Sequence, residues 1–381
     1  ATIYYFTFFM ASGAATVYGG IWFKEQGLSE EQIGVIGSLP VFIMLVLNLV
    51  VGRIADRAPD WRRTIVFGTV VAGVFSIGLF FAHGFWPILL VWTLASVPVN
   101  AVQPVGDAAT MRMTKRNGTD FGAIRAWGTV GYLSAIFAMG LLAAHVGGWT
   151  FLPVFVGVCL LRALASLGLP NFRAAPGEQQ PMPAGKAAGR LIEVMRPWFL
   201  LPLVGWAMVF ATHLILNTFQ ALLWSQQGIA PDIIGLLLAI GAASEAAMMF
   251  LFKRIADRFP ARVLLLVSAG VMVLRMIAMG FSPGVPVLVG LQMLHSITFA
   301  MGFMGCMHFI ANWTSEDIAA EAQSFFSMLQ QGMAVIALLV FGKLATTMGA
   351  SAYFVSAGVA AAGGVLIWAS LQLHPSARRA G

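Results

Sequence analysis

Charge is what this 381-residue sequence has least of. Asp, Glu, Lys and Arg together make up 10% of it, against about 25% in a soluble domain. That shortage excludes an ordinary globular domain dissolved in water. Cysteine is nearly missing as well. Only Cys159 and Cys306 occur, both inside apolar runs, so neither a disulfide framework nor a thiolate metal site is expected. No cluster of His, Cys, Asp and Glu at ligand spacing and no nucleophile constellation stands out, which argues against an enzyme and against a metal or cofactor. The first apolar run has no basic leader and no small-residue cleavage site, so it reads as a retained helix and not as a signal peptide.

What the chain has in abundance is apolar length. Hydrophobic residues make up 59%, and the mean hydropathy is +0.85. Runs of ~20 residues with little or no charge recur, long enough to cross the hydrocarbon core of a bilayer as helix. They predict twelve spans, at 1–23, 33–52, 64–83, 86–110, 121–145, 149–170, 197–225, 232–252, 262–282, 285–312, 321–347 and 350–373. The formal charge of +7 is a topology signal. Most Lys and Arg residues fall in alternate loops, while among the opposite loops only the first holds one, Lys24. The positive-inside bias then places both termini in the cytoplasm of a multi-pass protein of the bacterial inner (plasma) membrane. Nucleic acid is not expected as a partner; lipid is.

Arg53-Ile54-Ala55-Asp56-Arg57 returns as Arg254-Ile255-Ala256-Asp257-Arg258, each copy following one long apolar run and preceding another. Such an identity marks two related halves sharing a charged tight loop. Parallel six-helix repeats are a recurring plan of secondary transporters. The expected fold is therefore an all-α membrane protein of twelve transmembrane helices in two pseudo-symmetric six-helix bundles about a central cavity. The halves span 1–172 and 196–374, joined by a Pro-, Gly- and Ala-rich cytoplasmic linker at 173–195, with a cytoplasmic tail at 375–381. The chain is read as a monomer. Its 41 Gly residues suit close helix packing; Met and Phe are read as packing or lipid-facing residues.

Ionisable groups at membrane depth are functional candidates by default. In span 4, Asn100, Gln103 and Asp107 share one helical face; in span 5, so do Arg125, Thr129 and Tyr132. An Asp and an Arg on adjacent helices would neutralise one another and still offer hydrogen bonds to a polar ligand, or would only pin the helices together. In the second half Glu245 is the embedded acid, and the depths of Arg275 and His295 differ by roughly 5 Å at 1.5 Å per residue. A carboxyl that gains and loses a proton beside an Arg that discharges it is the minimum apparatus for proton coupling; a static buried pair is the alternative. His213, Asn217 and Gln220 form a polar face on span 7, and Gln323, Ser327 and Gln330 form one on span 11. Arg162 is expected to snorkel towards the cytoplasmic end of span 6.

Gly52-Arg53-Ile54-Ala55-Asp56-Arg57 resembles the loop 2–3 signature of the major facilitator superfamily, with its pseudo-repeat ending at Asp257-Arg258. Gly52, Asp56, Arg57, Asp257 and Arg258 would then belong to a conformational loop motif, although Pro59-Asp60-Trp61 stands where a Gly is usual. The run from Asp120 to Tyr132 resembles the start of span 5 in lactose permease and in the phenylpropionate permease and nucleoside–proton symporter groups. That resemblance implies substrate binding by Arg125 and aromatic stacking by Tyr132; Asp107 and Tyr132 stand where lactose permease has Glu and Trp. From Gly241 to about Ala345 the chain is most similar to the phenylpropionate permease group, through Ala243-Ser244-Glu245, Leu274-Arg275, Leu294-His295 and Ala322-Gln323-Ser324. A Glu, an Arg and a His on spans 8, 9 and 10 serve proton coupling in lactose permease, which implies that role for Glu245, Arg275 and His295. Lactose permease has a further Glu after its His; here no acid follows His295 before Glu316, leaving Glu245 as carrier.

The expected function is a proton-coupled symporter importing a small organic solute (a sugar, nucleoside or aromatic carboxylate) by alternating access. Asp107, Arg125, Tyr132, Asn100, Gln103, His213 and Asn217 are the candidate substrate residues. The alternative is a proton-driven efflux antiporter; the run from Arg125 to Trp149 has no Pro, where such antiporters carry a Gly-Pro-Gly signature. A uniporter and a non-transporting sensor on the same scaffold are the other readings.

Overall fold

The computed structural model describes residues 1–57, 60–119, 121–172, 196–313 and 316–373, and among them the regular structure is all helical. The apolar runs become helices because lipid offers backbone N–H and C=O groups no partner, and a helix satisfies them within one segment. In chain order these are α1 (Thr2–Glu25), α2 (Glu30–Arg57), α3 (Trp61–Ile77), α4 (Phe85–Asn117), α5 (Phe121–His145) and α6 (Phe151–Leu167), then α7 (Pro197–Gln226), α8 (Pro231–Ala256), α9 (Ala261–Gly280), α10 (Val285–Ile310), α11 (Glu316–Met348) and α12 (Tyr353–Leu373). Among the described residues, ten helical stretches are long and apolar enough to cross a membrane; the last, Phe325–Leu373, holds parts of both α11 and α12, and α2 lies between the first two. The chain is a multi-pass membrane protein.

The helix ends depart from the expected spans where polar sequence continues a helix beyond the lipid. α4 runs on through Arg116 to Asn117 and stops at Gly118, whose φ of 65° supplies the left-handed cap. The repeated pentapeptide is mostly helix terminus and not loop: Arg53–Arg57 closes α2 and Arg254–Ala256 closes α8. A following proline cannot continue the helix, and Asp257 and Arg258 occupy the exposed turn before Pro260. Gly52 lies within α2, while the side chains of Asp56 and Arg57, the linker 173–195 and the tail 375–381 lie outside the described residues.

The chain divides into two compact units, Ala1–Pro181 with Trp224–Leu236, and Met182–Leu223 with Leu237–Gly381. In the first, α1 lies backbone-to-backbone on α5. A Cβ at Gly131 would strike the Phe6 carbonyl, and one at Gly13 would come 2.5 Å from the Tyr132 carbonyl oxygen. That approach, possible only without side chains, sets the α1 aromatics beside the polar face of α5. Tyr4, Phe8, Ile65, Val99, Val102 and Phe172 form a buried apolar cluster behind them.

A device present in both halves relates them chemically. At the start of α3, Arg62 donates from Nε to the Leu169 carbonyl (2.6 Å) and from Nη2 to the Leu167 carbonyl (2.7 Å). At the start of α9, Arg262 Nη1 donates to the Ser370 carbonyl (2.7 Å) near the end of α12. Each half's third helix thus donates to carbonyls in the last turn of its sixth helix or just beyond it, with a cation at the negative end of the helix dipole.

Candidate functional site

In the first unit, Asp107 of α4 and Arg125 of α5 come together, with Nε 3.8 Å from Oδ1 and both side chains about one-third exposed (32% and 33%). The pair is close without being locked into a fork. Two α1 residues complete it. The Tyr5 hydroxyl donates to Asp107 Oδ1 at 2.7 Å. The Arg125 guanidinium carbon sits 4.1 Å from the centroid of the Phe9 ring and 5.7 Å from that of Tyr5. Stacking on Phe9 covers one face of the guanidinium and leaves its N–H edge open, an arrangement that arginine can use towards planar anions and hydroxyls. Asn100 is exposed, while Gln103 and Tyr132 are half-buried.

The second cluster lies wholly within the second unit and is better buried at its basic groups, while the Glu245 side chain keeps 27% exposure. Arg275 of α9 is 1% exposed. Its Nη2 donates to Gln292 Oε1 (2.5 Å), and its Nη1 faces His295 Nδ1 and Thr298 Oγ1, each at 3.1 Å. Glu245 of α8 is reached by His295 and not by the arginine: His295 Nε2 lies 3.4 Å from Glu245 Oε2. His213 of α7 is 1% exposed, its ring 5.7 Å from that of His295 and its Nδ1 3.2 Å from the Val209 carbonyl. It therefore packs under the Arg275–His295–Glu245 chain, whereas Asn217, one turn on, is exposed. Immediately after His295, Ser296–Met301 is wound as π-helix, a distortion frequent at functional sites.

A model of the MFS_1 like family matches residues 1–354. The chain belongs to that family. It is a membrane transporter with the major facilitator fold, and not an enzyme. Among curated relatives, the probable 3-phenylpropionic acid transporter of Escherichia coli (strain K12) is 26% identical, covering 93% of each chain. The maltose permease of Geobacillus stearothermophilus is 25% identical over 96% of this chain and 92% of its own. Among solved structures, the nucleoside transporter NupG superposes with a TM-score of 0.82 at 17% identity, covering 97% of this chain and 98% of that one. The D-xylose–proton symporter does so with a TM-score of 0.71 at 12% identity, covering 96% of each.

Four members of the transporter's two clusters escape sequence reasoning: Tyr5, Phe9, Gln292 and Thr298. Tyr5 and Phe9 stand one turn apart on α1, a spacing that marks a shared face but does not name the helix it meets. Gln292 and Thr298 flank His295 at three-residue steps, which is the signal available for them. Arg162 does not snorkel: it is 4% exposed, with its guanidinium carbon 5.6 Å from the centroid of the Phe8 ring.

Proposed function

We propose that this transporter is a proton symporter that imports a small organic solute by alternating access, from a bacterial inner membrane in which both termini face the cytoplasm. Asp107, Arg125 and Tyr132 bind the solute, helped by Tyr5 and Phe9, and Glu245 carries the proton, tuned by Arg275 and His295. The observation that carries this reading is the isolation of Glu245. Among the described residues it has no arginine or lysine in ion-pair contact, only the His295 ring at 3.4 Å. A carboxylate pinned by a guanidinium would stay ionised; one facing an imidazole is free to take up and release a proton. The named relatives, for an aryl acid and for a sugar, support the solute range, and a polar pair with an aromatic-backed arginine suits a sugar, a nucleoside or an aromatic carboxylate.

The test uses the full chain in proteoliposomes. Solute of each of the three classes is added outside while external pH is followed without buffer. One class is expected to enter with protons and alkalinise the medium. Solute entry without proton movement would make the protein a uniporter, and proton movement of the opposite sign an exporter.

A further inference from the structure

The proton cluster contains a residue with no charge to lend, Gln292, and its contacts give it a task. The residue is 3% exposed and its carboxamide is used at both ends: Oε1 accepts from Arg275 Nη2 at 2.5 Å, and Nε2 donates to the Leu237 carbonyl of α8 at 3.0 Å. α8 makes room for it. A Cβ at Gly241 would come 3.0 Å from Gln292 Nε2, and the Ser244 hydroxyl lies between the Gly241 carbonyl at 2.8 Å and the Gln292 carbonyl at 3.2 Å. Leu237, Gly241 and Glu245 follow at four-residue steps on one face of α8. Gln292 thus fixes the Arg275 fork against the helix face that carries Glu245.

The fork in turn decides where His295 holds its hydrogen. Arginine has only donors, so the contact of 3.1 Å between Arg275 Nη1 and His295 Nδ1 requires Nδ1 to be an unprotonated acceptor. A ring with a bare Nδ1 carries its proton on Nε2, the nitrogen that faces Glu245. The other titratable group against this ring is His213 of α7, whose Nδ1 lies against the Val209 carbonyl and not against His295.

We propose that Gln292 is a positioning residue that, by aiming Arg275 at His295 Nδ1, locks His295 as the neutral Nε2–H tautomer and so presents a fixed donor to Glu245. His295 then orients and stabilises the ionised Glu245 but does not itself carry the transported proton. This deepens the proton-coupling reading and rests on it for its functional meaning, while the tautomer itself is measurable without transport.

The experiment is 15N NMR of the full chain in lipid nanodiscs, labelled at its six histidines, with the His295 signals identified by their loss in His295→Gln. The wild type at neutral pH should show His295 with a protonated Nε2 and an unprotonated Nδ1. In Gln292→Leu, which keeps the bulk and removes both hydrogen bonds, the signals should move to a tautomer mixture. Proton-driven accumulation in that variant should fall by roughly tenfold, the worth of one charge-assisted hydrogen bond, with solute exchange retained. A doubly protonated ring or an Nδ1–H tautomer in the wild type overturns the proposal without any variant having to fold. An unchanged Nε2–H tautomer in Gln292→Leu overturns the role of Gln292. Failure of proton coupling itself would appear instead in transport by Glu245→Gln, with the tautomer unaffected.

Discussion

The two polar clusters hold the same kinds of residue in different packing. Asp107 and Arg125 stand 3.8 Å apart, each about a third exposed, steadied from α1 by one hydroxyl and one aromatic face. Arg275 and His295 are enclosed, and the arginine's two Nη groups are engaged by Gln292, His295 and Thr298, while its buried Nε has no hydrogen-bond partner among the described residues. A group meant to recognise a passing solute must keep hydrogen-bonding capacity in reserve. Under the proposed function the carrier Glu245 keeps 27% exposure, enough for a proton to reach it, while the Arg275 and His295 that tune it are held by their neighbours. The difference lies in packing and not in composition, since each cluster holds one acid and one arginine.

The largest expected effect breaks the first cluster. Arg125→Ala leaves Asp107 with the Tyr5 hydroxyl and removes the guanidinium N–H edge offered to the solute, each hydrogen bond to a charged group being worth ~1.5–3 kcal/mol. Solute affinity of the purified protein should fall by at least ~100-fold, with helicity and size-exclusion profile unchanged. Unaltered affinity would reduce Asp107–Arg125 to a helix clamp and erase the contrast between the clusters.

Tyr5→Phe sharpens the same point more gently. It removes the donor to Asp107 Oδ1 and keeps the ring, so affinity should drop by about tenfold, the scale of one hydrogen bond to a charged group. Proton coupling should be untouched. A variant that binds normally but no longer couples would show that the clusters are not separable.

The smallest effect comes from an ion pair outside the membrane span. Lys24 Nζ lies 2.8 Å from Glu30 Oε1, with the lysine 41% exposed, and Gln226 Nε2 donates to the same oxygen at 2.7 Å. Burial by itself would raise the Glu30 carboxyl, but the hydrogen bonds from Lys24, Gln226 and its own backbone, with the lysine's charge, hold it below its ordinary value. A depressed acid stabilises the fold above its unfolded pKa and loses that contribution as pH falls through the folded one. Thermal stability of the wild type should therefore exceed that of Glu30→Gln at neutral pH by about 0.5 kcal/mol, since exposed pairs are screened. The gap should close below about pH 4; a gap that widens on acidification would reverse the assignment.

The helices were legible in the sequence because lipid leaves an apolar run no other structure, and the repeated Arg-Ile-Ala-Asp-Arg announced the two halves. Helix ends were less so: α4 outruns its apolar core because nothing stops it before Gly118. Asp107, Arg125, Glu245, Arg275 and His295 could be singled out because a charge in an apolar run is costly. Gln292, Thr298, Tyr5 and Phe9 carry no charge, and their roles depend on which helix lies opposite. Periodicity gives a residue its face but not its neighbour. Arg162 shows the same limit from the other side, since rank along the helix suggested snorkelling and the Phe8 ring on α1 keeps it buried.

The central claim is that the enclosed cluster moves the proton and the open one binds the solute. Glu245→Gln, a fixed mimic of the protonated carboxyl, tests it most directly in proteoliposomes. The variant should exchange solute across the membrane at near wild-type rate while losing accumulation driven by a pH gradient. A Glu245→Gln protein that still concentrates solute against its gradient would contradict the account, and would move the carrier to Asp107 or His295 or abolish proton coupling altogether.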